Sequence, residues 1–130
     1  MPRPKEEHPT AGELEILKVL WERGPSTVRE VMDVLNETRP RAYTSVMSLL
    51  NVMTEKGLLL RQPQGRAFVY KPRTDRSRTL RRMVGDLVGR AFEGSTSQLV
   101  AHLLDQAKPS AAELKEIRRA IEQYQQQRGQ

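Results

Sequence analysis

Two Thr-x-x-Glu boxes, Thr10-Ala-Gly-Glu13 and Thr27-Val-Arg-Glu30, stand close together with Gly24-Pro25 between them. No other feature constrains the fold as strongly. In such a box the Thr hydroxyl accepts a first-turn amide, and the Glu carboxylate accepts the amide of the Thr itself, so each box fixes where a helix begins. Gly24-Pro25 fixes where the first helix stops. The chain must therefore open with two short helices and a tight connection. Leu14, Leu17 and Trp21 follow the first box at helical spacing, with Ile16 and Leu20 widening the stripe. Val28, Val31, Met32 and Leu35 follow the second at i, i+3, i+4, i+7.

Asn36 to Pro40 is a polar connection, and Pro40 drives Arg39 out of helical conformation. A third helix starts near Arg41–Tyr43. Val46, Leu49, Leu50 and Met53 occupy an arc of roughly 100° on it. The opposite face holds Thr44, Ser48, Asn51 and Glu55, with Arg41 and Ser45 at its edges. Gly57 supplies a C-terminal position that tolerates positive φ. Leu58–Gln62 and Ala67–Lys71 read as strands around Pro63-Gln-Gly-Arg66, with Phe68 and Tyr70 alternating against Val69 as one half-buried face would require. Pro72 closes the hairpin.

Beyond Thr74 the pattern is purely helical. Leu80, Met83/Val84, Leu87/Val88 and Ala91/Phe92 keep a near-heptad seam, broken at Gly94-Ser-Thr-Ser97. Leu99, Val100, Leu103 and Leu104 form a short amphipathic helix. After Pro109, a third box, Ser110-Ala-Ala-Glu113, precedes a stripe of Leu114, Ile117, Ile121 and Tyr124. The polar QYQQQRGQ end is expected to fray. The fold class is mainly α with a small β-hairpin: a winged helix-turn-helix over residues 1–72 and a helical dimerisation region over residues 73–130.

Composition narrows the function. The net charge is +6 and the pI about 10.1, which favours polyanionic partners. The charge is uneven: residues 1–37 carry a net −3, residues 38–72 a net +5 and the remainder +4. With no cysteine there is no disulfide, thiolate metal site or cysteine nucleophile. His8 and His102 are the only histidines, and neither sits in a zinc signature or a nucleophile–base pair. The expectation is no enzyme, no metal and no cofactor. MPRPKEEHPT lacks the apolar core of a signal peptide, and no apolar run is long enough to span a bilayer. The chain reads as a soluble cytoplasmic protein.

A helix entering the DNA major groove needs short polar side chains on its outer face, because long ones hold it away from the base edges. Thr, Ser and Asn can bond bases or phosphates, and Thr also offers a methyl to thymine. A hairpin carrying Arg61, Gln64 and Arg66 can lie along the adjacent backbone. Glu55 would repel phosphate, which moves the contact toward the N-terminal end of the helix. The rival readings are solvent-facing filler and a winged helix used for protein contact or non-specific nucleic-acid binding.

The stretch "AYTSVMSLLNVMTEKGLLLRQPQGRAFVYKP" resembles the signature region of the BlaI/MecI/CopY penicillinase-repressor family. "GELEILKVLWERGPSTVREV", "LVGRAFEGSTSQLVAHLLDQ" and "SAAELKEIRRAIE" extend the resemblance over about residues 10–125. It implies a bacterial transcriptional repressor that binds double-stranded operator DNA as a homodimer. Tyr43, Thr44, Ser45 and Ser48 stand at the family's recognition-helix contacts, and Gly65 and Arg66 match the wing tip. Where an Arg-Leu pair usually follows the helix Asn, this chain has Val52-Met53, which removes a phosphate contact. The apolar stripes of the C-terminal helices call for a two-fold partner, the rival being a monomer in which they fold back onto the winged helix, with Leu80, Met83, Val84, Leu87, Phe92, Leu99, Leu103, Leu114, Ile117 and Ile121 as interface candidates. Copper-responsive members carry paired cysteines, which are absent here. Members controlling β-lactam resistance resemble substrates of a membrane-bound sensor protease that cuts in the dimerisation region. No Asn-Phe step of that kind is present, and the inducer stays open.

Overall fold

The computed structural model describes residues 8–129. Arg3, Lys5 and most of the N-terminal segment read for a signal peptide lie outside the described residues. The element order is α1 (Ala11–Arg23), α2 (Val28–Leu35), α3 (Tyr43–Glu55), β1 (Leu59–Gln64), β2 (Ala67–Pro72), α4 (Arg76–Ala91), α5 (Thr96–Ala107) and α6 (Ala111–Gln127). The chain divides into two units, one ending at Met83 and one running from Val84 to Gln130.

Both N-terminal boxes close as the sequence requires. Thr10 Oγ1 accepts from the Glu13 amide at 3.2 Å, and Glu13 Oε1 accepts from the Thr10 amide at 2.9 Å. Thr27 and Glu30 repeat the pair at 3.2 and 2.9 Å. The Thr27 amide holds the partly exposed Glu30 carboxyl below the usual carboxylate range, assisted by the Arg23 guanidinium. Gly24, at φ 96°, ends α1. Gly57 takes positive φ (87°) just after α3, where a side chain would be strained.

The first unit packs α1, α2 and α3 around one core and closes it with the base of the hairpin. Ile16, Leu17, Leu20, Val31, Val46, Leu50, Met53, Leu59 and Tyr70 are buried together. Each such large apolar side chain contributes about 1.5–3 kcal/mol when fully buried. The hairpin is antiparallel, with Gln64 opposite Ala67 and Leu59 opposite Pro72. Only Gly65 and Arg66 remain for the turn, so the strands run further and the turn is tighter than the sequence suggests. Gly65, at φ 63°, occupies the first turn position, as a type II′ hairpin demands.

Ser26 adds a third, isolated rung that the sequence does not announce. Its amide donates to Tyr70 O at 3.0 Å, and the Tyr70 amide donates to Ser26 O at 2.8 Å. Phe68 departs from expectation. Tyr70 is 2% exposed, but Phe68 is 41% exposed, because the hairpin projects beyond the core it grows from.

Two acids near the start of α1 reach the two ends of α3. Glu13, 3% exposed, accepts from Lys56 Nζ at 2.9 and 3.0 Å. Glu15 accepts from Arg41 at 3.1 and 3.2 Å.

In the second unit α5 and α6 begin at Ser95 and Ser110. The Ser95 hydroxyl accepts from Gln98 and the Ser110 hydroxyl from Glu113. At Ser110 only this forward half of the expected box is formed. The polar end also differs from expectation: α6 continues to Gln127, because glutamine is a good helix former. No residue of α5 or α6 is fully buried.

Lys56→Ala should lower stability by about 2–3 kcal/mol. That lies at or below the usual range for breaking a buried pair, because the ammonium is partly solvated. A lower urea midpoint at unchanged slope is the expected reading.

Candidate nucleic-acid interface

The outer face of α3 is built by exclusion. Val46, Leu50 and Met53 turn into the core, which leaves Tyr43, Thr44, Ser45 and Ser48 exposed on the first two turns. The hydroxyls are short, so the helix backbone stays near whatever lies over this face. Val52 is also exposed and puts no charge at its position, while exposed Glu55 adds a negative charge at the far end. Arg29 of α2 lies over the Tyr43 ring at 5.8 Å, a cation–π distance.

α3 begins without a side-chain cap. Thr10, Thr27, Ser95 and Ser110 cap α1, α2, α5 and α6, but Ala42 cannot cap α3. Its first amides and the positive end of its dipole therefore face outward with no side-chain acceptor, an arrangement suited to an anion.

Arg41 occupies a different place from the hydroxyls. Its side chain is only 11% exposed, and it donates from NH1 to Leu35 O at 2.6 Å and from NH2 to Glu15. Its backbone amide donates to Asn36 Oδ1 at 2.8 Å. Arg41 thus ties the entrance of α3 to α1 and α2. Asn51 also turns toward the protein. Its Oδ1 accepts from Tyr70 OH and from Arg61 NH1, both at 3.1 Å, and so joins α3 to both strands of the wing.

The wing carries the remaining candidates. The Arg61 guanidinium lies 4.3 Å from the Phe68 ring centroid, which gives the exposed aromatic a role outside the core. Gln64, Gly65 and Arg66 form the exposed tip. The structure thus brings Tyr43, Thr44, Ser45 and Ser48 together on α3 and Gln64, Gly65 and Arg66 together at the tip, with Arg61 and Asn51 linking wing to helix. Sequence reading missed the structural employment of Arg41 and Asn51. Only their chemistry signalled it: a half-buried guanidinium or amide needs partners.

Among the interface candidates for a second chain, Leu80, Met83, Phe92, Leu99, Leu114 and Ile117 are half-buried, and Val84, Leu87, Leu103 and Ile121 are exposed. Phe92 packs edge-on against His102 at 5.2 Å. Among the described residues there is no group of acids and histidines able to hold a metal ion, and no helix is long and apolar enough to cross a membrane.

Three helices, a hydroxyl-faced third helix and a hairpin packed beside it define a winged helix-turn-helix. Comparison with known proteins then gives the family. The family model described as penicillinase repressor matches residues 9–123. The chain is 27% identical over 112 residues to the penicillinase repressor of Bacillus licheniformis, covering 86% of this chain and 88% of the relative. It is 32% identical over 114 residues to the transcriptional regulator BlaI of Mycobacterium tuberculosis, covering 85% and 81%. A solution structure of the DNA binding domain of the repressor BlaI aligns with 30% identity and a TM-score of 0.49, covering 59% of this chain and 92% of that one. The chain belongs to the penicillinase repressor family, whose members are transcriptional repressors and not enzymes.

Asn51→Ala should release Arg61 and leave the buried Tyr70 hydroxyl without its acceptor. A loss of about 1–3 kcal/mol is expected, together with faster amide exchange in β1 and β2. Unchanged exchange in the strands would mean that the amide does not hold the wing.

Proposed function

We propose that this repressor binds a two-fold symmetric operator in duplex DNA as a homodimer in the cytoplasm. In this reading residues 1–72 form the DNA-binding domain and residues 73–130 supply the dimerisation region, whose first residues, up to Met83, pack within the same unit as the winged helix. The first turns of α3 enter the major groove, with Thr44, Ser45 and Ser48 at base edges or phosphates, and Tyr43 beside them. The Gly65-Arg66 tip lies on the adjacent backbone. Arg61 and Asn51 set the angle between wing and helix. The observation that carries the reading is the exposed hydroxyl face on α3, the one helix among the described residues whose start no side chain caps.

The proposed partner of the C-terminal helices is a second copy of the chain. Half-exposed Val84, Leu87, Leu103, Ile121 and Tyr124 support it, because apolar surface of this extent is covered in stable soluble assemblies. A symmetric pair then presents two α3 helices to two half-sites. Inactivation by a membrane-bound sensor protease cutting within residues 73–130 is the regulatory part of the reading and rests on the family alone. A winged helix serving protein contact is the competing use; it predicts neither salt-dependent nor sequence-dependent DNA binding.

The deciding experiment measures binding to a fluorescent fragment from the gene's own upstream region against scrambled duplex at two salt concentrations. A repressor retains the upstream fragment at the higher salt and loses the scrambled one. Arg66→Ala should weaken binding to all sequences and flatten the salt dependence by about one phosphate contact. Ser48→Ala should change the preference among operator variants by roughly 1–3 kcal/mol if the hydroxyl reaches a base edge; equal effects on all variants would reduce Ser48 to filler. Leu87→Asp should abolish the dimer in sedimentation equilibrium and operator binding with it, because it would bury an unpaired charge. A stable mutant dimer would move the interface elsewhere.

A further inference from the structure

Several arginines of this chain are satisfied internally. Arg23 pairs with Glu30 at 3.2 Å, Arg41 with Glu15 at 3.1 Å, Arg90 with Asp86 at 3.0 Å and Arg119 with Glu116 at 3.2 Å. Arg61 lies over Phe68. A different set is concentrated in one stretch, Arg73-Thr-Asp-Arg76-Ser-Arg78-Thr-Leu-Arg81-Arg82, which holds five arginines, no lysine and a single acid. All five side chains are exposed. Among the described residues none of their guanidinium groups enters an ion pair. The acid caps the helix rather than pairing with a guanidinium: Asp75 Oδ1 accepts from the Arg78 amide at 2.8 Å at the start of α4, and one negative charge leaves the stretch strongly positive.

At about 100° per residue, Arg78, Arg81 and Arg82 share one arc of α4. Thr79, Leu80 and Met83 share the opposite one, and Thr79 is buried. The segment is held firmly to the winged helix. Trp21 Nε1 donates to Thr74 O at 3.1 Å, the Arg73 amide donates to Leu58 O at 2.9 Å, and the Thr74 and Thr79 hydroxyls bond at 2.9 Å. All of these residues lie in the unit that ends at Met83. The basic face therefore belongs to the same compact unit as α3 and the wing.

Like charges three and four residues apart on a helix repel each other, so the arrangement costs stability in the free chain. An anionic partner reverses the sign of that contribution. Arginine without lysine points further, because the planar guanidinium matches the two oxygens of a phosphate in a way an ammonium cannot.

We propose that Arg78, Arg81 and Arg82 form a second phosphate-binding face, which grips the DNA backbone apart from the contacts of α3 and the wing and reads no sequence. The proposal rests on the reading of this chain as a DNA-binding repressor.

The test compares the full chain with a variant combining Arg78→Ala, Arg81→Ala and Arg82→Ala, plotting log affinity against log salt concentration. Each phosphate neutralised contributes about 0.9 to the slope, so the variant slope should be shallower by about 2–3. The same loss should appear on the upstream fragment and on scrambled duplex, with their affinity ratio unchanged. The triple Arg→Lys variant should restore the slope. A variant combining Lys108→Ala, Lys115→Ala and Arg118→Ala removes equal charge elsewhere and should keep the wild-type slope.

A wild-type slope in the triple-alanine variant overturns the proposal, and so does an equal loss in the charge control. Loss of phosphatidylglycerol vesicle binding in the variant, with the DNA slope intact, would assign the face to a membrane surface instead. If the wild type bound all duplexes alike, the operator reading would fall, and the slopes on scrambled duplex would still decide this face.

Discussion

The buried Glu13 carboxylate is the contact on which the placement of α3 depends. It closes the capping box that starts α1, and it receives the ammonium of Lys56 just beyond the end of α3. Two residues on, Glu15 holds Arg41 just before the start of α3. The candidate reading helix is thus fixed at both ends to a single turn of α1. The apolar core alone would leave it freer to slide, since hydrophobic contact is non-directional. The two ion pairs supply direction, and a helix that must meet a periodic partner needs direction more than it needs additional burial.

Charge and capping are distributed with a common logic. Helices that stay within the protein have their first amides covered by Thr or Ser, and many of the arginines among them have an acid or a ring beside them. The exposed helix start and the exposed arginines at the wing tip and on α4 are left open. An interior contact must satisfy its polar groups at folding, whereas a surface intended for an anion keeps them available. The unsatisfied groups of this chain therefore describe its partner about as well as the satisfied ones describe its fold.

Much of this was legible in the sequence. The helix starts at Thr10 and Thr27, the positive φ at Gly57 and a break at Gly94 follow from local chemistry, and local chemistry is what a linear pattern records; the break is shorter than the Gly94-Ser-Thr-Ser97 expected, since α5 already begins at Thr96. The hydroxyl face of α3 was legible for the same reason. Arg41 and Asn51 were not, because their partners lie far along the chain: Glu15 is 26 residues from Arg41, and Tyr70 is 19 from Asn51. Periodicity assigns a side chain to a face but says nothing of what that face meets. The Ser26 rung was hidden because one residue makes no strand pattern. Phe68 was misjudged because alternation shows which residues share a side of a hairpin, not where the core beneath it ends.

The two-residue turn at Gly65-Arg66 bears on how such a wing can vary between relatives. Its base is locked: Tyr70 is tied to Ser26 by two backbone bonds and to Asn51 by its hydroxyl. Side chains alternate across a strand, so inserting a single residue in one strand would turn every side chain beyond it to the opposite face. With the two-residue turn kept and no bulge introduced, the tip lengthens or shortens by matched pairs, one residue in each strand. Wing length in chains built on this base should change in quantised steps, each moving the tip by about 3.4 Å along the hairpin while leaving Phe68 and Arg61 on the side they already occupy.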